Sequence, residues 1–177
     1  LTDGLIGQMM EKVELAPQKE RVTEYDQSWV TTVKTKDRER NIITSLNLDP
    51  DLQYEHNLKL QAKYKSMGQD VMFEKIDCDD ADFLLVAYGS SARICQKVVE
   101  LARSRGKKVG LLRPQTLFPF PGDELARMAR RVKGMMAVEL SAGQMVEDVK
   151  LAVNGRIPVT HYGMVGGRIH SPDDVLN

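Results

Sequence analysis

From residue 70 onward, apolar and polar positions follow two rhythms. Short apolar runs at 71–76, 83–88, 109–112, 135–140 and 158–162 have the length and composition of strands. Between the later runs, apolar residues recur at spacings of three and four. Ile94, Val98 and Leu101 share one face of a first helix; Leu125, Met128, Ala129 and Val132 do so on a second. Met145, Val146, Val149, Ala152 and Val153 mark a third. Strands alternating with helices predict a parallel sheet with right-handed crossovers. The first two runs are joined only by Asp77-Cys78-Asp79-Asp80-Ala81-Asp82, too short for a crossover helix. The first strand is therefore predicted to run antiparallel at an edge. The expected fold is α/β: a three-layer α/β/α domain over residues 69–177, with a five-stranded, mostly parallel sheet.

The first part of the chain is less regular. Pro17, the lone Trp29 and the charge run Lys34 to Arg40 suggest an extended segment over residues 14–48, lying on another surface or simply solvated. A helix is predicted over 49–67, with Asp49 as N-cap, Pro50 at its first position and Gly68 as terminator. Its apolar residues spread around the cylinder, the pattern of a helix touched on two sides. Leu1 to Gly7 reads as a strand tail entering a turn. Ser171-Pro172-Asp173-Asp174 reads as a helix start, followed by too few residues to stand alone. The expectation is a fragment of a longer polypeptide: residues 1–13 the tail of a preceding domain, 14–68 a linker plus helix, and 69–177 the α/β domain.

Composition narrows the function classes. The chain has 177 residues, 42% hydrophobic and 28% charged, as soluble globular domains have. Lys plus Arg (25) equals Asp plus Glu (25), without the basic excess of a nucleic-acid binder. No apolar run approaches a membrane span. Leu1 to Gly7 carries no basic n-region and is not read as a signal peptide, and Cys78 and Cys95 read as reduced thiols, so the expected compartment is the cytoplasm. Two cysteines without a CxxC, and three scattered histidines (His56, His161, His170), give no metal site.

Ligands of open α/β sheets favour the carboxyl ends of strands. After the second strand comes Tyr88-Gly89-Ser90-Ser91-Ala92-Arg93, where Gly89 permits a tight turn, Ser90 or Ser91 can cap the helix, and the N–H groups could hold an anion. A plain capped turn is the preferred reading. After the third strand, a Pro119-Phe120-Pro121 segment reads as a rigid loop with a buried ring. After the fourth comes Glu139-Leu140-Ser141-Ala142-Gly143-Gln144, where Glu139 and Gln144 are either a carboxylate with its positioner or a polar pair at helix entry. The stretch Gly163 to Arg168 lacks dinucleotide-fingerprint spacing, and neither a P-loop nor a nucleophile elbow occurs. No catalytic residue is identified. Gly89, Ser90, Ser91, Arg93, Gly143 and Gln144 remain as a candidate binding loop.

The segments Leu84 to Arg93, Lys108 to Pro121 (LLRPQTLFPFP) and Val138 to Gln144 (E-x-x-x-GQ), in that order, resemble the transketolase C-terminal-like domain of 2-oxoacid:ferredoxin oxidoreductases, alpha-type subunit. Asp3 to Glu11 resembles the end of the pyrimidine-binding domain that precedes it. Val146 to Gly167 is similar to the branch acting on 2-oxoisovalerate (3-methyl-2-oxobutanoate). The resemblance implies an enzyme of anaerobic metabolism that decarboxylates a 2-oxoacid, reduces ferredoxin and forms an acyl-CoA from coenzyme A. It implies thiamine diphosphate with magnesium and iron–sulfur clusters in the whole enzyme, none of them on this fragment. The implied partners are thiamine-diphosphate-binding, gamma-type and ferredoxin-like subunits, and the implied role is support and subunit contact, with the isolated piece inactive. Two rivals stand: the equivalent domain of a 2-oxoacid dehydrogenase beta subunit or a transketolase, and a non-enzymatic module binding an anion or nucleotide at residues 89–93.

Overall fold

The computed structural model describes residues 4, 6–8, 10, 12, 14–20, 24, 26, 28–31 and 39–176. Residues 1–3 and 5 of the expected strand tail and most of the charge run at 34–40 lie outside the described residues, and Ile6–Gln8, at the end of that tail, form a 3-10 turn. The chain divides into two compact units, one within Met10–Lys65 and the other built chiefly on Ser66–Asn177.

In the first unit the one long element is α1, Pro50–Ser66. Asp49 caps it as predicted: its Oδ1 accepts from the N–H of Asp51 at 2.9 Å and of Leu52 at 3.3 Å. No residue of α1 is buried; Leu52, Tyr54 and Leu58 are more than half exposed. Gly68 does not terminate α1 through a left-handed residue. The helix instead tightens at Ser66 into a 3-10 turn over Met67–Asp70 that runs through Gly68.

The second unit is a five-stranded sheet. Its strands are β1 (Phe73–Ile76), β2 (Phe83–Ala87), β3 (Val109–Pro114), β4 (Gly134–Glu139) and β5 (Val159–Gly163), in spatial order β1-β3-β2-β4-β5. The edge strand β1 runs antiparallel to β3, with Lys75 opposite Leu112, and all other pairings are parallel. The fold class read from the chain holds, including the reversed edge.

Side chains alternate across each strand, so one strand feeds two cores. Leu85, Ala87, Leu111 and Val138 point to the face covered by α2 (Gly89–Ser104) and α5 (Pro172–Leu176). Leu84, Val86, Leu112, Met135 and Ala137 point to the face covered by α3 (Gly122–Met128) and α4 (Met145–Val153). Strand β2 is buried on both sides, which is why its sequence is an unbroken apolar run.

Two helices differ from expectation. The buried stripe of α2 is Cys95, Val98, Val99 and Ala102, one position off the predicted Ile94–Val98–Leu101 face. Small side chains sit at the closest approach to the sheet, and the larger Ile94 and Leu101 flank them half-buried. The helix at the end, α5, does form. Ser171 and Asp174 make a reciprocal cap, Asp174 N–H to Ser171 Oγ at 3.2 Å and Ser171 N–H to Asp174 Oδ2 at 2.9 Å, and Val175 is buried in the α2-side core. Capping and tertiary burial supply what a five-residue helix cannot supply itself.

Candidate functional site

Strand β2 sends its crossover through α2 to β3 on one side, while β4, reached through α3 on the opposite face, lies on the other side. The carboxyl ends of β2 and β4 are thus the topological switch point, where an open α/β sheet has its crevice. Ala87 pairs with Val138, so the two candidate loops, 88–93 and 140–144, leave the sheet side by side. The topology brings the candidate residues to one place. Their local structure decides what they can do.

In the loop after β2, the N-cap of α2 is Tyr88, with no side-chain capping bond, and Gly89 follows at φ +56°. Ser90 and Ser91 therefore lie inside the first helical turn rather than at the cap, and they are buried, at 1% and 2% exposure. The expected capping role is not theirs, because β2 runs to Ala87 and the helix begins at once. Arg93 is exposed. After β3, the ring of Phe120 packs on the α3/α4 core while Phe118 is exposed.

The loop after β4 has a definite architecture. Glu139 is 1% exposed, and its carboxylate turns back onto the start of α4. Oε2 accepts from Ser141 Oγ at 2.7 Å, Gln144 N–H at 3.1 Å and Met145 N–H at 3.0 Å; Oε1 accepts from Val146 N–H at 3.1 Å. A helix N-terminus carries unsatisfied N–H groups and a partial positive charge, and Glu139 supplies the anion that answers both. Burial, the largest influence, pushes its carboxyl up. The Ser141 hydroxyl and the three N–H groups together outweigh it and hold the pKa below the ordinary glutamate value. Gly143, at φ +111°, takes the turn that an L side chain resists, and Gln144 joins through its backbone N–H while its side chain is exposed. The E-x-x-x-GQ pattern is thus a helix-entry device.

Two histidines that looked scattered in sequence meet here. His161 Nε2 lies 3.5 Å from Glu139 Oε1. His170 Nε2 is 3.2 Å from the Glu139 carbonyl, and its ring lies 5.3 Å from that of Tyr162. His170 Nδ1 is buried without a hydrogen-bond partner, and burial is the first cause of its lowered pKa. Gly163 permits the convergence: a Cβ there would lie 2.3 Å from the Ser141 carbonyl and 2.5 Å from His161 Cε1. Only the pairing of β4 with β5, Glu139 opposite Gly163, brings these residues together.

A cavity of about 330 Å³ lies at the opposite, amino end of the strands, walled by apolar residues such as Phe83, Met136, Val175 and Leu176. Cys78 and Cys95 are free and buried, and among the described residues no cluster of His, Cys, Asp or Glu fits a metal ion. Two buried thiols do not fit an iron–sulfur cluster, which takes four thiolates. Among the described residues no helix is long and apolar enough to cross a membrane.

Comparison with known proteins agrees with this architecture. The pyruvate:ferredoxin oxidoreductase core domain II family matches residues 81–175. Ketoisovalerate oxidoreductase subunit VorB of Methanothermobacter marburgensis is 38% identical over 99% of this chain, which spans 49% of that relative. The chain thus covers about half the length of such relatives. A solved 2-oxoglutarate:ferredoxin oxidoreductase from Magnetococcus marinus shares the fold at TM-score 0.59 and 17% identity, over 73% of this chain and 23% of its own. A split-gene transketolase does so at TM-score 0.51 and 16% identity, over 59% and 39%. With more than half of its length matched, the chain belongs to the pyruvate:ferredoxin oxidoreductase core domain II family.

Proposed function

We propose that the chain is a segment of one subunit of a 2-oxoacid:ferredoxin oxidoreductase. The whole enzyme takes a 2-oxoacid and coenzyme A to acyl-CoA and carbon dioxide, and passes the released electron pair to oxidised ferredoxin. The 38% identity to a ketoisovalerate oxidoreductase subunit along 99% of the chain supports 2-oxoisovalerate as the acid. In this reading thiamine diphosphate with magnesium and the iron–sulfur clusters are held by other parts of the assembly. Residues 1–13 end a preceding domain, 14–68 form an arm and helix, and 69–177 are the supporting domain.

One observation carries the supporting role: Glu139 fills the α4 N-terminus from inside, so that end of the switch-point crevice is engaged by the chain's own carboxylate. The arm suits subunit contact, since Ile42, Ile43, Leu46, Leu48, Leu52 and Leu58 are all more than half exposed. Methyl-viologen reduction by the full-length subunit, co-expressed with its gene neighbours, tests the reading. Reduction that needs coenzyme A and runs fastest with 2-oxoisovalerate is expected. Preference for pyruvate or 2-oxoglutarate overturns the branch alone, and no reduction with any acid by a cluster- and cofactor-loaded assembly overturns the whole. Calorimetry on this chain should show no micromolar, magnesium-dependent binding of thiamine diphosphate; such binding refutes the supporting role.

A further inference from the structure

Beside the sheet edge, on the α3 face, lies a groove of about 440 Å³ lined by Lys75 of β1, Asp79 of the β1–β2 turn, and Glu124, Arg127, Arg130 and Arg131 of α3 and the turn after it. Four cations against two carboxylates leave a surplus of two positive charges, in a chain whose formal net charge is zero. Glu124 organises the floor. Its carboxylate is almost fully buried, with Lys75 Nζ 3.3 Å from Oε1 and Arg127 Nη2 2.5 Å from Oε2. The Lys75 and Arg127 side chains remain 41% and 67% exposed, so both keep donors toward the groove. Arg130 and Arg131 are exposed and, among the described residues, no carboxylate lies within ion-pair distance of either.

Basic residues often gather at a helix C-terminus because they complement its dipole and cap its carbonyls. At the end of α3 the backbone itself takes up three of the last four carbonyls. The Leu125 carbonyl accepts from Ala129 N–H, Arg127 from Arg130 N–H, and Met128 from both Arg131 and Val132 N–H. The guanidiniums are left to face the groove.

We propose that this groove binds a small anion carrying a pyrophosphate group, a site beyond the role assigned above. Guanidinium forks match phosphate oxygens in pairs, and Lys75 adds a point charge. A pyrophosphate group, with at least two negative charges, offsets the surplus, whereas a lone carboxylate, with one, does not. The volume also admits a group attached to it, within the size range of small-molecule sites.

The test is calorimetric titration of the full chain with inorganic pyrophosphate and, separately, ADP, at low salt and at 0.5 M NaCl. Saturable one-to-one binding is expected, at least tenfold weaker at high salt and at least tenfold weaker in Arg130→Gln/Arg131→Gln. Lys150→Gln/Arg156→Gln, which removes two cations of α4 and the turn after it, should bind as the parent does. Pyrophosphate binding without ADP binding supports the site with the free anion as its ligand; binding of both supports a nucleotide. Absence of binding by either at millimolar concentration overturns the proposal, as does binding that survives in Arg130→Gln/Arg131→Gln or is lost equally in the control. A poly-glutamate peptide that displaces ADP tenfold more effectively than pyrophosphate overturns it in favour of an acidic protein partner.

Discussion

Replacing Glu139 with glutamine isolates the charge of the α4 cap at nearly constant volume. The carboxylate accepts three donors at Oε2 and the Val146 N–H at Oε1. An amide has one oxygen, which will keep the three-donor position and turn its NH2 toward the Val146 N–H and His161. One buried N–H loses its acceptor, at about 1–3 kcal/mol. The helix N-terminus loses its negative charge, at roughly 0.3–1 kcal/mol. Together these destabilise the fold by about 1–4 kcal/mol, or roughly 3–15 °C in thermal midpoint for a chain of this size. Urea denaturation followed by circular dichroism, from pH 7 down to pH 3, is the assay. Because the folded carboxyl titrates below its ordinary value of 4.5, its contribution is complete above that pH and is lost as the pH falls through the lower folded value. The gap between parent and variant should therefore be widest near pH 7 and narrow below about pH 4.5. A variant within about 0.5 kcal/mol of the parent at pH 7 refutes the capping role, since that is the scale of ordinary surface substitutions. A gap that does not change with pH refutes the charge argument.

Other perturbations probe the rest of the domain. Gly163→Ala puts a Cβ 2.3 Å from the Ser141 carbonyl, so backbone must shift; a loss of about 1–3 kcal/mol is expected, and an unchanged melting midpoint contradicts the close packing of β5 on the loop. Leu112→Ala, at a fully buried site, should cost about 2–5 kcal/mol in urea denaturation. Leu151→Ala, at a site 79% exposed, should stay within about 0.5 kcal/mol, and equal effects at the two positions would contradict the assigned core. Cys95 is fully buried, and burial pushes its thiol up to about 12, whereas the unfolded thiol ionises near 9.0. Stability should hold below pH 9 and fall above it, with about 1.4 kcal/mol per unit from this thiol; Cys95→Ala should make that limb shallower without removing it, because burial also raises the Cys78 thiol, and a parent chain flat between pH 9 and 10.5 refutes this.

The sheet was legible because its signals are local. Each strand is an apolar run bounded by turn residues, and the reversal of β1 followed from the length of one link, Asp77 to Asp82. What escaped the sequence depends on distance in the chain. Glu139, His161 and His170 meet only because β4 and β5 pair in one register, and spacing along the chain carries no trace of it. The face of α2 shifted by one position because packing distance selected Cys95 and Ala102 over the bulkier Ile94 and Leu101, a choice that periodicity alone does not make. Ser90 and Ser91 looked like caps by type, yet their burial follows from how tightly the helix follows β2.

The same geometry gives the E-x-x-x-GQ pattern a structural reason. A helix start at a switch point attracts an anion, and in many α/β sheets a phosphate answers it. Here the chain tethers its own carboxylate one residue before the turn, at the last residue of β4, where it competes against any soluble anion without loss of translational freedom. Each element of E-x-x-x-GQ then has a structural requirement: the acid to face three N–H groups, the glycine to take φ +111°, and the following residue to open α4.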